Sequence, residues 1–76
     1  MNAPDARLDA RGLVCPLPVL RARKALMAMA PGAVLTLLAT DQAARRDVPA
    51  FCQSAGHVLV AVDEADGVLT FTIRRA

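Results

Sequence analysis

The chain has few aromatic residues and few cysteines, and each shortage argues against certain classes of binding site. Two phenylalanines are present, with no tryptophan and no tyrosine, so the sequence offers no row of aromatic side chains on which nucleic-acid bases could stack. Two cysteines are too few for a disulfide framework, and they do not form the paired spacing of a structural zinc site. We therefore expect reduced thiols in the cytosol, with no metal and no cofactor.

Strong charge and long apolar runs are also missing. Nine basic against seven acidic residues leave a net charge of only +2, which argues against a dedicated nucleic-acid binder. The longest apolar stretch, residues 25–39, is interrupted by Pro31-Gly32 and is too short to span a bilayer. The first residues alternate charged and small side chains without the apolar segment of a signal peptide. A cytoplasmic protein without direct membrane contact is the expectation.

Aliphatic residues are abundant, since hydrophobic residues, mostly Ala, Val and Leu, make up 55% of the 76 residues. A chain of this length and composition forms one small domain with an aliphatic core. The small, polar start predicts a flexible N-terminal tail over residues 1–6. A single domain over residues 7–76 follows it.

The hydrophobic periodicity predicts the order strand, helix, strand, helix, strand, strand. The predicted strands cover residues 7–10, 33–40, 57–63 and 68–74. The first helix is predicted over residues 16–30, and the second follows a short turn at residues 43–46, carries Pro49 in its first turn and ends at Gly56. This order predicts an α+β fold: a two-layer α/β sandwich with both helices on one face of a four-stranded mixed sheet.

The open face of that sheet is predicted to carry some of three valines, Val58, Val60 and Val62. That is more apolar surface than a solvated sheet face needs. We therefore expect a partner or dimer surface there.

The most informative stretch is GLVCPLPVL, residues 12–20. A residue before proline is pushed into extended geometry, so Cys15 is predicted as the N-cap of the first helix and Pro16 as its first residue. Pro16 and Pro18 have no amide N–H, which leaves the amide of Leu17 free to face the sulfur. The helix dipole should then lower the pKa of Cys15 and make the thiol moderately nucleophilic, with Arg11, Arg21 and Arg23 able to add to the effect. The alternative is an ordinary buried cysteine.

The residues LDARGLVCPLPVL (8–20), RKAL (23–26), TDQAARRDVPAFCQSAGH (40–57) and FTIRR (71–75) together resemble the TusA/SirA family of small sulfur-carrier proteins. The resemblance implies the same two-layer sandwich and assigns Cys15 as the residue that carries sulfane sulfur as a persulfide. Pro16, Leu17 and Pro18 of the Cys-Pro-x-Pro motif would support it. Leu17 stands where the best-known thiouridine carriers of the family have an acidic residue.

The resemblance also implies protein partners. A cysteine desulfurase or another persulfide donor would load Cys15, and an acceptor protein would take the sulfur for tRNA 2-thiouridine, molybdenum cofactor or sulfur-oxidation pathways. Arg21, Arg23 and Lys24 could dock acidic partner surfaces near Cys15, although basic residues on a helix are most often simply solvated.

Two other functions stay open at this point. One is an RNA- or DNA-binding regulatory module of the same fold, and the other is a thiol-disulfide protein that uses Cys52 as a second thiol. Against the latter, Cys52 lies on the apolar face of the second helix and is expected to be buried. His57 is expected to cap the helix or begin the next strand, and Asp9 is expected to fix the turn before Gly12.

Overall fold

The computed structural model describes residues 5–76 as two helices packed on a four-stranded sheet. In chain order the elements are β1 (Ala6–Ala10), α1 (Leu17–Met27), β2 (Val34–Ala39), α2 (Ala44–Ala55), β3 (Val58–Ala65) and β4 (Val68–Arg74). The strands lie side by side in the order β1-β2-β4-β3. β1 and β2 are parallel, whereas β4 runs antiparallel to both β2 and β3. The predicted fold class and the order βαβαββ are confirmed.

Most of the predicted tail lies outside the described residues, which begin at Asp5. Ala6 already belongs to β1. The carboxylate of Asp5 accepts a hydrogen bond of 2.7 Å from the amide of Val34 at the start of β2. The sheet therefore begins at Ala6, one residue earlier than predicted.

The core lies between the sheet and the helices. Alternate residues of the central strands point to it, and Leu35, Leu37, Leu69, Phe71 and Ile73 are fully buried. The helices contribute residues at helical spacing to the same core: Ala22 and Leu26 from α1, Val48 and Cys52 from α2. The period of two in the strands and of about four in the helices is what the sequence pattern predicts.

Helix α1 is shorter than the predicted residues 16–30. Its last turn tightens, because the amides of Ala28 and Met29 bond to the carbonyls three residues earlier, Ala25 and Leu26. Met29 lies beyond the helix but is still only 3% exposed, so it packs in the core.

Helix α2 corrects the prediction around Pro49. The residues predicted as a separate turn are the first turn of the helix, which begins at Ala44 and carries Pro49 in its interior. Ala44 is only 3% exposed and packs in the core, so the packing of the first turn extends the helix ahead of the proline. Gly56 ends the helix in the left-handed conformation, as predicted, with φ 82°.

The last two strands, β3 and β4, form an antiparallel hairpin. Asp66 and Gly67 both have positive φ, 53° and 79°, which is the backbone of the two-residue turn that matches the twist of paired strands. Leu69, Phe71 and Ile73 share the buried face.

A bulge in β3 separates the three valines of the expected partner surface. Leu59 lies opposite Ile73, but Ala61 lies opposite Thr72, so one extra residue, Val60, interrupts the ladder. Val58 is paired with Arg74 on the open face, whereas Val62 is paired with Phe71 on the face that carries the helices. Only part of the valine set is therefore on the open face, and a partner surface there stays a prediction.

Candidate functional site

The candidate site forms where the two parallel strands end. β1 and β2 are paired in register up to Ala10 and Ala39, so the loops that follow them leave the same edge of the sheet. The amide of Gly12 in the first loop donates to the hydroxyl of Thr40 in the second, at 2.9 Å. The Cys-Pro segment is therefore held against the segment that leads into α2.

Cys15 is bonded to two carboxylates, one from that second segment and one from α2. Its amide donates to Oδ2 of Asp41 at 2.6 Å, and the other oxygen of Asp41 accepts the amide of Ala43 at 3.1 Å. Its Sγ lies 3.0 Å from Oδ2 of Asp47, in the first turn of α2, and donates a hydrogen bond to it. Cys15 is a free, exposed cysteine, so its sulfur is positioned without being enclosed.

These contacts overturn the expected activation of the thiol. The hydrogen bond to Asp47 raises the pKa of Cys15, and partial loss of hydration and the charges of Asp47 and Asp41 act in the same direction. Arg46 lowers the pKa but has the smallest effect. Arg11, which was expected to help, is instead paired with Asp9. A carboxylate in direct contact outweighs a helix dipole, because the dipole acts weakly at an exposed helix end.

The start of α1 also differs from the prediction. Pro16 is the N-cap and Leu17 the first helical residue, so Cys15 lies one position outside the predicted cap. The amide of Leu17 donates to the carbonyl of Val14 at 2.9 Å, and it is therefore not free to face the sulfur.

The two prolines of the motif have different surroundings. Pro18 is buried, as part of the α1 face that also carries Ala22 and Leu26, whereas Pro16 is exposed. Pro18 therefore anchors the start of the helix to the core, and Pro16 lies at the surface beside the thiol. A shallow cleft at this point is lined by Cys15, Pro16, Pro18, Val19, Asp41, Ala44 and Asp47.

A second, larger groove runs between α1 and the edge strand β1, with a volume of about 700 Å³. Its lining is Leu8, Leu17, Leu20, Arg21, Lys24, Ala25 and Ala28. Leu17 and Leu20 are 40% and 50% exposed, which is high for large apolar side chains. Arg21 and Lys24 thus lie beside an apolar strip that begins two residues after Cys15, whereas Arg23 does not line the groove.

The remaining candidate residues have structural surroundings. Cys52 is 2% exposed in the core, as expected. The amide of His57 donates to the carbonyl of Cys52 at 2.9 Å, and its Nδ1 accepts the amide of Ala76 at 3.0 Å. Asp9 accepts the amide and the guanidinium of Arg11, which fixes the turn before Gly12 as expected.

Asp41 and Asp47 are the site residues that the sequence analysis missed. In the sequence pattern Asp41 is only a polar residue after a strand, and nothing singles out Asp47. A signal existed for Asp41, because it directly follows a strand predicted to share the sheet with the strand before Cys15. Asp47 lies 32 positions from Cys15 in the chain, and no local pattern connects the two.

Two further observations concern metal binding and membrane-spanning helices. Within residues 5–76, no three His, Cys, Asp or Glu side chains are grouped as a metal site would require. Neither helix of the described chain is long and apolar enough to cross a membrane.

Comparison with known proteins places this chain in a family. A sulfur carrier protein TusA of Pseudomonas aeruginosa is 45% identical over 74 residues, which cover 97% of this chain and 94% of that protein. A provisionally named sulfur carrier protein of Neisseria meningitidis serogroup B is 55% identical over 67 residues, or 88% of this chain and 90% of the relative.

A solved structure and a family model agree with these relatives. The crystal structure of a SirA-like protein from Desulfitobacterium hafniense superimposes with a TM-score of 0.82 at 35% identity, and the match covers 91% of this chain and 95% of the other. The family model described as "Sulfurtransferase TusA" matches residues 6–75. The chain belongs to the TusA family.

Proposed function

We propose that the protein is a sulfur carrier that accepts sulfane sulfur as a persulfide on Cys15 and passes it to an acceptor protein. The observation that carries the proposal is the free, exposed thiol of Cys15, held at the meeting point of two loops in a chain of the TusA family. Relatives of this chain are named as sulfur carriers. The donor is a cysteine desulfurase or another persulfide donor, and the acceptor serves tRNA 2-thiouridine, molybdenum cofactor or sulfur-oxidation chemistry.

The transfer is an exchange between sulfur atoms. Cys15, as thiolate, attacks the outer sulfur of the donor's persulfide; the donor's S–S bond breaks, a new S–S bond forms on Cys15, and the donor keeps its own sulfur as a thiol. The proton lost by Cys15 balances the proton gained by the donor thiolate. An acceptor thiolate then attacks the outer sulfur and releases Cys15. Because one S–S bond replaces another, no oxidant or reductant is consumed.

Mass spectrometry of the intact protein tests this proposal. The wild type is incubated with one of two donors, a cysteine desulfurase with cysteine or inorganic polysulfide, and we expect a gain of one sulfur atom that reductant removes. Cys15→Ser should gain none. Cys52→Ala is the matched control, and it should load like the wild type because Cys52 is enclosed in the core. A gain that survives Cys15→Ser, or no gain from either donor, would contradict the proposal.

Partner docking is proposed for the groove beside α1. Arg21 and Lys24 border the apolar strip of Leu17 and Leu20, so an acidic partner surface with an apolar centre fits it. Reversal of both charges, Arg21→Glu with Lys24→Glu, should slow sulfur transfer from a protein donor about three- to tenfold at low salt and less at high salt. The matched control reverses two exposed charges outside the groove, Arg23→Glu with Arg74→Glu, so that both variants change the net charge equally. Equal effects of the two variants would contradict docking at the groove.

The two alternative functions have less support. Phe71 is fully buried and Phe51 is half-buried against the core, so neither phenylalanine offers an exposed platform for a base. The side-chain partner of Cys15 is Asp47, not Cys52. The geometry therefore favours a single working thiol.

A further inference from the structure

We propose that Asp47 is a positioning residue that holds Cys15 as a protonated, weakly nucleophilic thiol in the free carrier, so that the thiolate forms only when this contact is broken. The proposal rests on the proposed function for its meaning, since it treats Cys15 as the thiol that accepts sulfur. The contact itself, a thiol hydrogen-bonded to a carboxylate, does not depend on whether the protein transfers sulfur.

The first support is the geometry of the contact. Cys15 Sγ and Asp47 Oδ2 are 3.0 Å apart, within the range of a hydrogen bond from a thiol. A carboxylate has only acceptor positions, so the proton must lie on the sulfur. If the thiol lost that proton, two negative charges would face each other at the same distance. The contact is favourable for the thiol and unfavourable for the thiolate.

The second support is that Asp47 is kept ionised by its surroundings. It lies in the first turn of α2, where the helix dipole favours negative charge. Its other carboxylate oxygen accepts a hydrogen bond of 3.3 Å from Arg46. The bonds from Cys15 and Arg46 hold the pKa of Asp47 below its usual value, so this carboxylate accepts the hydrogen bond without taking the proton.

The third support is that the backbone of Cys15 is bonded to the segment that leads into α2, the helix that carries Asp47. The amide of Cys15 is bonded to Asp41, and the same carboxylate is bonded to Ala43 in the residues leading into α2. The charged groups that act on the sulfur are therefore Asp47 and Arg46 of α2 and Asp41 of the preceding loop. Two of the three are negative, and the single cation acts from an exposed, solvated side chain.

Alkylation kinetics of the thiol test the proposal without any sulfur donor. The rate of reaction with iodoacetamide is measured from pH 6 to pH 10 in the Cys52→Ala background, so that only Cys15 can react. Asp47→Asn keeps the size and hydrogen-bonding capacity of the side chain but removes its charge. We expect the midpoint of the rate profile to move to lower pH and the rate at pH 7 to rise about three- to tenfold. Asp63→Asn, an exposed carboxylate on β3, is the matched control and should leave the profile unchanged.

Cys15 in the Cys52→Ala background, with Asp47 unchanged, offers a second measurement. Its alkylation midpoint should lie at higher pH in the folded protein than in urea, where the contact is lost. A folded midpoint at or below the unfolded one, or an Asp47→Asn profile that is unchanged or shifted upward, would overturn the proposal. Loading of Cys15 with sulfur is a separate readout, so its failure would count against the proposed function and not against the role of Asp47.

Discussion

At the scale of single residues, the two cysteines show how surroundings decide the behaviour of a thiol. Burial raises the pKa of Cys52, because a charged thiolate would lose its hydration in the core. The pKa of Cys15 is also raised, but mainly by a hydrogen bond to a carboxylate at the surface. The contact of Cys15 lies at the exposed surface, where a docking partner would reach it under the proposed function, whereas Cys52 is enclosed in the core. One thiol is therefore accessible in the folded protein and the other is not.

The buried thiol makes a prediction about stability. Cys52→Ala removes a sulfur atom from a site that is 2% exposed, and we expect a loss of about 1–2 kcal/mol in the free energy of unfolding. Urea unfolding followed by circular dichroism measures it, with Cys15→Ala, at an exposed site, as the control that should change less. A folded Cys52→Ala protein that cannot be loaded with sulfur would instead assign Cys52 a part in the reaction.

At the scale of the elements, local patterns were reliable where one rule applied and failed where packing competed with it. The alternation of Leu69, Phe71 and Ile73 predicted β4 because one face of that strand is fully buried. Gly56 predicted the end of α2 because a left-handed cap suits glycine. The start of α2 was predicted wrongly from Pro49. Proline prefers the first turn of a helix, but burial of Ala44 one turn earlier outweighed that preference. The sequence does not show which of two such preferences is stronger.

The cap of α2 gives a prediction at this scale. A Cβ added at Gly56 would meet no atom within 4 Å, but the φ of 82° is strained for any side chain. Gly56→Ala should therefore cost about 1 kcal/mol of stability through backbone conformation alone. Gly56→Asn should cost less, because asparagine tolerates this region better than alanine. Thermal unfolding of the two variants compares them, and equal losses would show that the backbone is not the cause.

At the scale of the whole molecule, the site depends on a feature of topology. β1 and β2 are parallel neighbours, so the loops after them meet, and α2 then brings Asp47 to Cys15. The motif around Cys15 was visible in the sequence, but the direction in which its surroundings shift the pKa of the thiol was not. That direction depends on the side chain of Asp47, which another element contributes and only the assembled fold places beside the sulfur.

The carboxylates predict how the stability of the whole protein responds to acid. Pairing with Arg11 lowers the pKa of Asp9 from 3.8 to about 2, and the pKa of Asp47 is lowered as well. A carboxyl group whose pKa is lower in the folded state than in the unfolded state stabilises the protein at pH values above its unfolded-state pKa. That contribution is lost as the pH falls through its folded-state pKa. The melting temperature should therefore decrease as pH falls from about 4 to about 2. The raised pKa of Cys15 gives stability the opposite dependence on pH: its contribution is present at low pH and is lost as the pH rises through the folded-state pKa of the thiol.

Asp9→Asn provides the control for the acid response. The variant should be less stable than the wild type at neutral pH, and the two melting temperatures should converge near pH 2, where Asp9 approaches its protonated form in both states of the wild type. A difference that stays constant across this range would mean that the charge of Asp9 is not involved.

The contact between Cys15 and Asp47 has a further consequence for the lifetime of the protein in an oxidising cell. Peroxide attacks thiolates far more readily than thiols. Cysteines that are exposed and present as thiolates are therefore the ones oxidised to sulfenic and then sulfinic acid. Cys15 is exposed, so burial does not protect it. Under the proposed function, its hydrogen bond to Asp47 keeps the sulfur in the less reactive thiol form, which would slow oxidation of the free carrier between partners.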